Sequence, residues 1–417
     1  MNHPLRFGLA AAASPAPPIG RLFPWLAPLA GHTDLVFRTL CREQGAAVAC
    51  TEMVSAKGLV YGQKNKKNPD PTGQPELPGQ TLSGASATRQ LLRTSPTDLP
   101  LVVQLFGEDP DFLGRAVELL RGWGFGWFDL NLGCSVPKVI KTGAGSALAR
   151  SIPASLAVAK AMLRAAGPVE MTNKEISPAV DNSNNPPQGA SGCPLYPASR
   201  VGFKLRLGWN REEENYLELA SELEQCGAGW LTLHPRYARQ GFSGQADYRA
   251  VARLAGRLSI PLMLSGDLFA AASALEALRA SGASGPMFAR GALHNPSIFR
   301  DYLELAGSGF SSGPRAASSP DFLRALILRH AELARQYTAE DPTELASETG
   351  TAALAPSTGK RKKSGDRPPG SLLKMRGAVP RYIKDLPGSR ALRVNLSTCR
   401  DWGHFYQLVE DYFSGLS

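Results

Sequence analysis

The sequence predicts an α/β fold: a closed (β/α)8 barrel of TIM type followed by a small C-terminal helical domain. From residue 23 to about 300, eight short apolar runs alternate with segments of helical period. Near-continuous apolar strands separated by helices are the signature of a parallel sheet covered on both faces, and eight such units close a barrel. A doubly wound open sheet is the alternative on pattern alone, but no Gly-x-Gly-x-x-Gly follows the first run.

The strand candidates are, in order, "FPWLAPL" (23–29), "AVACTEM" (47–53), "LPLVVQLF" (99–106), "WFDLNLG" (127–133), "VGFKLRL" (201–207), "GWLTLH" (229–234), "IPLMLSG" (260–266) and "GPMFARG" (285–291). Between them lie helices with readable ends. Asp34 can cap "LVFRTLCREQG", whose Val36, Phe37, Leu40 and Cys41 share a face and which Gly45 can end. "EDPDFLGRAVELLRGWG" has Pro110 in its first turn and Phe112, Ala116, Leu119 and Leu120 on one side. Stretches near 64–98, 168–199 and 338–370 interrupt the pattern. They are poor in aromatic residues and rich in Pro, Gly, Ser, Thr and Asn, too little apolar surface to offset chain entropy, so they read as flexible insertions. The expected organisation is an N-terminal extension (1–20), the barrel (21–310) and, after a Gly/Ser-rich boundary, a helical domain (318–417).

Composition is that of an ordinary globular protein, 43% hydrophobic and 20% charged. No run of 18 apolar residues exists, so no membrane span is expected. Six scattered cysteines form no Cys-x-x-Cys, and no His pair has ligand spacing, so no metal site is expected; a reduced, cytoplasmic setting follows. The net charge of +10 is concentrated. Between Lys360 and Arg393 there are eleven Lys or Arg residues against Asp366 and Asp385, a positive field that favours a polyanion such as nucleic acid; a solvated charged linker followed by an ordinary basic helix is the alternative reading. Oligomeric state is not legible, and a monomer is the working expectation.

In a barrel of this type, reactive side chains sit at the C-terminal ends of the strands. Those positions hold Pro28, Leu29 and Ala30; Glu52; Gln104; Asn131 and Cys134; Lys204 and Arg206; His234 and Arg236; Ser265, Gly266 and Asp267; and Ala289 with Arg290. The seventh and eighth strand ends, "SGD" and "ARGA", suit a phosphate held by loop amides with Arg290 adding a charge-assisted bond. Lys204 and His234, one strand apart, can hold a phosphate or the polar edge of a ring, to which Gln104 can add an amide. Lys204 could equally form a rim salt bridge, or an imine as in an aldolase barrel.

Taken together, "APLAGHTDLVFRTLCREQGA", "TEMVSAKGLVYG", "VVQLFGEDPD", "FDLNLGCSVPKVIKTGAGSALAR", "FKLRLGWN", "LHPRYARQGFSGQADY", "LSGD" and "MFARGALHNPSIF" resemble the bacterial-type tRNA-dihydrouridine synthases, in order and at sensible spacing, while "RYIKDLPGSRALR" resembles that family's helical tail. The resemblance implies an FMN-bound barrel that uses NADPH to reduce selected uridines of tRNA to 5,6-dihydrouridine, and a tail that binds tRNA. By the same resemblance Pro28, Leu29, Ala30, Gln104, Lys204, His234, Ser265, Gly266, Asp267, Ala289 and Arg290 hold the flavin, Cys134 donates a proton, and Asn131, Lys141 and Arg236 help to place the uridine. The sequence departs from the family's usual residues at Leu29 (methionine), Ser265 (asparagine), Ala289 (glycine) and Tyr248 (tryptophan). Three other readings use part of the same residues: a flavin barrel acting on a small pyrimidine or enone, a non-flavin aldolase barrel, and an RNA-binding module without catalysis.

The chemistry explains a thiol at the exit of the fourth strand. Saturating the uracil C5=C6 bond takes a hydride at one carbon and a proton at its neighbour, and a positioned acid must supply the proton. An unperturbed thiol is mostly protonated at neutral pH, whereas an ordinary carboxylic acid is almost wholly ionised.

Overall fold

The structure, a computed structural model, describes residues 6–7, 15–64, 87–169, 195–307, 319–339 and 368–416. Most of the three expected insertions, with Cys193, Lys360 to Lys363 and Arg367, lies outside the described residues. All eight expected strands form: β1 (Trp25–Leu26), β2 (Val48–Cys50), β3 (Leu101–Phe106), β4 (Trp127–Asn131), β5 (Val201–Leu205), β6 (Trp230–Leu233), β7 (Leu262–Ser265) and β8 (Gly285–Phe288). Each pairs in parallel with the next, and β8 pairs with β1, which closes the barrel. A short strand, Val54–Ser55, adds to β3, and Arg6–Phe7 pairs antiparallel with Arg93–Thr94.

The outer layer consists of α1 (Leu35–Glu43), α2 (Ala56–Lys64), α3 (Pro110–Gly122), α4 (Ile152–Ala166), α5 (Tyr216–Gln225), α6 (Tyr248–Ala255), α7 (Ala271–Ser281) and α8 (Ile298–Ala306). Asp34 caps α1 by accepting from the Phe37 N–H, and Asp109 caps α3. The buried face of α3 differs from the expected one: Leu113, Ala116, Val117 and Leu120 point inward, while Phe112 and Leu119 are half-buried. Phe112 turns aside to pack against Tyr61 of α2, ring centroids 5.1 Å apart. Val36 is likewise only half-buried on the barrel side, because it packs against the C-terminal helices.

Side chains alternate along each strand, so every second residue enters the barrel. The lower interior is filled by Trp25, Trp127 and Trp230, with Trp25 and Trp230 edge to face at 5.7 Å. Gly202 makes room for them, since a Cβ there would lie 2.0 Å from Cε2 of Trp230. Ala16 and Ile19, expected in an N-terminal extension, join this tryptophan layer. Above it the inward positions turn polar: Gln104, Asp129, Asn131, Lys204, Thr232, His234 and Ser265. This change of layer is what makes the upper end a site rather than more core.

Residues 92–98, expected inside a flexible insertion, belong to the fold. The guanidinium of Arg38 donates from Nε and Nη2 to the Asp98 carboxylate, and both side chains are fully buried. Arg38 also donates to the carbonyls of Thr33 and Arg93, and Thr94 donates to Asp98. Polar composition hid this segment, because a buried ion pair looks like a solvated one in sequence.

The C-terminal helices are α9 (Pro320–Ala339), α10 (Gly370–Tyr382), α11 (Ser389–Thr398) and α12 (Trp402–Ser414). They share a core that includes Ile327, Met375, Val379, Leu396, Phe405 and Val409. Helix α1 bridges the two parts: Leu35 and Leu40 cluster with Leu326, Leu333 and Tyr337, and Lys374 donates to Asp34 at 2.6 Å. His330 is buried beside Tyr382, its Nδ1 3.0 Å from the phenol oxygen. No helix among the described residues is long and apolar enough to cross a membrane.

Two outcomes follow. Asp98→Ala leaves the Arg38 charge buried without its partner, so it should cost roughly 3–5 kcal/mol in urea denaturation. Burial lowers His330 to about 4 against a weaker raising pull from Asp34. The unfolded chain therefore binds a proton that the native imidazole refuses between about pH 6.5 and 4, and stability falls as pH drops through that window, by up to about 3 kcal/mol. Denaturation of wild type and His330→Phe at both ends of the window checks this: the variant should lose that part of the acid slope.

Candidate active site

The C-terminal ends of the strands surround a cavity of about 220 Å³. Its wall contains Pro28, Leu29 and Ala30 after β1, Gln104 on β3, Asn131 and Cys134 at the end of β4, and Lys204 on β5. His234, Ser265, Gly266, Asp267, Ala289 and Arg290 complete the circuit after β6, β7 and β8. The strand-end rule thus selects residues from seven separate strand ends that the fold brings to one hollow. Lys141 and Arg236 are not in the wall. Lys141 is exposed after the short helical turn Pro137–Ile140, and Arg236 is buried behind the β7 turn.

Cys134 leaves the barrel on a loop that is tied on both sides. Its N–H donates to Asn131 Oδ1 at 2.8 Å, and its carbonyl accepts from the N–H and hydroxyl of Ser146 at 3.0 and 2.9 Å. Gly145 permits that second contact: its φ is +64°, and a Cβ would fall 2.7 Å from the Cys134 carbonyl oxygen. The thiol is free and half-buried.

Charge is dense here. Burial lowers Lys204 and raises Asp129, while each favours the other's charged form. The Lys204 ammonium makes no hydrogen bond to another described residue. Burial, reinforced by Lys204, Arg206, Arg236 and Arg290, holds His234 far below the usual imidazole range. It is therefore a neutral ring. Arg236 Nη1 lies 3.4 Å from its Nε2, and since an arginine can only donate, the ring proton sits on Nδ1.

The "SGD" turn is built from two residues at positive φ, Gly266 at +112° and Asp267 at +54°. Interactions over-determine it, which is how such a conformation persists. Asp267 accepts from Arg236 at 2.7 and 2.5 Å, from Arg290 at 3.0 Å and from the Ala246 N–H at 2.9 Å. Burial works against its ionisation, but the Arg236 hydrogen bond and the other partners hold the carboxyl below its ordinary value. Arg290, so anchored, lies between two exposed rings, its Cζ 4.3 Å from the centroid of Phe242 and 4.8 Å from that of Phe269. The next residue must be glycine, since a Cβ on Gly291 would meet the Leu268 carbonyl at 2.1 Å.

Met53, Phe242, Leu268 and Phe269 also line the cavity, beyond the residues that the strand-end rule selects, and so does Arg206, a strand-end residue for which the sequence suggests no role. Arg206 donates to the carbonyls of Gly133, Tyr237 and Gly241, joining the Cys134 loop to the loop after β6. Phe242 had one signal, a large apolar residue between polar and small neighbours in "QGFSG", where burial gives no reason for it. Among the described residues no group of His, Cys, Asp and Glu could hold a metal ion.

The family model described as "Dihydrouridine synthase (Dus)" matches residues 25–175 and 197–343. The chain is 33% identical over 272 residues to a probable tRNA-dihydrouridine synthase 1 of Synechocystis, a match that spans 65% of this chain and 61% of that protein, under two thirds of its length. It is 27% identical over 390 residues to tRNA-dihydrouridine synthase B of Pseudomonas aeruginosa, covering 93% of this chain and 92% of that one. Among solved structures, an old yellow enzyme homologue from Zymomonas mobilis is similar with a TM-score of 0.39 and 13% identity, over 70% of this chain and 95% of that one. With more than half of its length matched by the family model across the barrel and into α9, the chain belongs to the dihydrouridine synthase family.

Proposed function

We propose that this chain is a cytoplasmic, monomeric enzyme that reduces selected uridines of tRNA to 5,6-dihydrouridine, with FMN bound in the cavity, NADPH as reductant and Cys134 as proton donor. The observation that carries the reading is a free, half-buried thiol on a doubly anchored loop, in the wall of a cavity whose other strand ends present an ammonium, a neutral imidazole and an arginine.

The residues present fit a flavin mononucleotide, an anion joined to a planar ring with hydrogen-bonding edges. Lys204 supplies a half-buried cation that makes no hydrogen bond to another described residue, and Gln104, with one amide proton and one lone pair still free, offers a ring edge both a donor and an acceptor. Ala30, Ala289 and Gly266 are small enough for close approach, and Arg290 supplies a fixed charge for a phosphate. Pro28, Leu29 and Ser265 complete that wall. When bound, FMN supplies the hydride that this chain's side chains cannot.

The protein's own task is the proton. Asn131 and Ser146 fix the backbone of Cys134, so that its thiol can be presented to one face of a pyrimidine and release its proton to the adjacent carbon. Arg236 acts from behind by holding Asp267, and hence Arg290, in place. Lys141 on its exposed turn faces the RNA backbone. A uridine reaches so recessed a thiol only by leaving its stack. The domain from 318 onward serves as the tRNA-binding part: exposed Lys384, Arg390 and Arg393 give it a surface for phosphates, positioning rather than reading bases. That surface is the feature a reductase of small enones would not need.

Cys134→Ala should retain flavin, read from its visible absorbance, yet form dihydrouridine on tRNA at least about 100-fold more slowly, the range of a lost general acid. Unchanged turnover would remove Cys134 from the chemistry. Affinity for tRNA should fall at least about tenfold between 50 and 200 mM salt, with a shallower slope in Arg390→Ala/Arg393→Ala. A salt-independent affinity would contradict the tRNA assignment.

A further inference from the structure

Asp129 has no part in the chemistry described above, yet it heads an unbroken line of hydrogen bonds that ends at the reactive thiol's backbone. It enters the barrel between Trp127 and Asn131 on β4 and is 2% exposed. Its Oδ2 accepts from Gln104 Nε2 at 2.6 Å. Gln104 Oε1 accepts from Asn131 Nδ2 at 2.8 Å, and the same Nδ2 donates to the sulfur of Met53 at 2.9 Å. Asn131 Oδ1 then accepts from the N–H groups of Gly133 at 3.1 Å and Cys134 at 2.8 Å.

The order of donors and acceptors in this line leaves no freedom. Two backbone N–H groups at its far end demand an acceptor, so Asn131 must present its oxygen to them and its nitrogen to Gln104. Gln104 must then present its oxygen to Asn131 and its nitrogen downward. Only a group that accepts can sit beneath it, and a carboxyl oxygen of Asp129 does so. Turning either amide over would set N–H against N–H in a buried site, at the full cost of unsatisfied donors. All hydrogen-bonding positions of the Asn131 side chain are used within the protein.

We propose that Asp129 is a positioning residue: its carboxylate fixes the polarity of the Gln104 and Asn131 amides and through them the placement of the Cys134 loop. The proposal rests on the reading of Cys134 as proton donor and adds the device that holds it. Asp129 is out of reach of any substrate, so its effect travels through the two amides. Gln104 also faces the cavity, so the same carboxylate decides which of its amide atoms points to each neighbour there.

The test uses the full-length holoenzyme, with the two half-reactions followed separately, together with alkylation of Cys134 by iodoacetamide quantified by peptide mapping in the absence of tRNA. Asp129→Leu removes the acceptor. It should slow reoxidation of the reduced flavin by tRNA about 100-fold, leave bleaching of the flavin by NADPH within about threefold, and raise the Cys134 alkylation rate several-fold as the loop loosens. Asp129→Asn can still turn its oxygen to Gln104, so it should slow the tRNA step by only about tenfold and leave alkylation within about twofold. Adding Asp129→Leu to Cys134→Ala should slow the residual tRNA step no further, because the two act as a unit. Equal loss in both half-reactions, additive loss in the double variant, or unchanged alkylation in Asp129→Leu would overturn the proposal. Should Asp129→Leu not fold, Asp129→Asn decides: a wild-type tRNA step in that variant would also overturn it. Wild-type protein that makes no dihydrouridine would defeat the parent reading instead, while the alkylation comparison would still report on the hydrogen-bonded line.

Discussion

The structure depends on satisfying charge inside a closed barrel. A parallel sheet closed on itself has no free edges and admits little water, so a charged or amide side chain that points inward must find a partner in the protein or in what the protein binds. The lower half avoids the problem with three tryptophans. In the upper half Asp129 meets Gln104, and Asp267 meets two arginines. Lys204 stands apart, half-buried and hydrogen-bonded to none of them. That contrast sets Lys204 off from the hydrogen-bonded charges around it.

The same requirement accounts for the backbone at the rim. Positive φ at Asp267 is unfavourable alone, but four hydrogen bonds to its carboxylate hold the turn in place. The two arginines held there are not interchangeable: Arg236 is buried and structural, whereas Arg290, between two exposed rings, reaches the hollow. A sequence motif lists them as neighbours in function. Their burial separates them.

Much of this was legible in the sequence because it lies on the periodic part of the fold. Eight apolar runs gave eight strands, and the rule that chemistry sits at strand ends selected Gln104, Cys134, Lys204, His234 and Arg290 before any contact was known. What sequence hid was polar material that is buried. Residues 92–98 read as loop because an Arg–Asp pair gives the same letters whether solvated or enclosed. Asp129 was passed over as one residue in an apolar strand, since alternation marks which way it points but not what it meets. The orientation of α3 was missed for another reason: Phe112 is apolar enough for either face, and only the neighbouring Tyr61 decides.

Helix α1 belongs to two cores at once. Its Phe37 and Cys41 pack into the barrel, its Leu35 and Leu40 pack among α9 side chains, and its cap residue is held by a lysine from α10. Cutting the chain after α8 would therefore leave a greasy stripe and an orphaned cap on the severed piece, making it sticky rather than autonomous. Shuffling of tails between relatives is constrained for the same reason: any transplanted end must bring side chains shaped to this one shared helix, and the barrel cannot evolve its outer wall independently of its appendage.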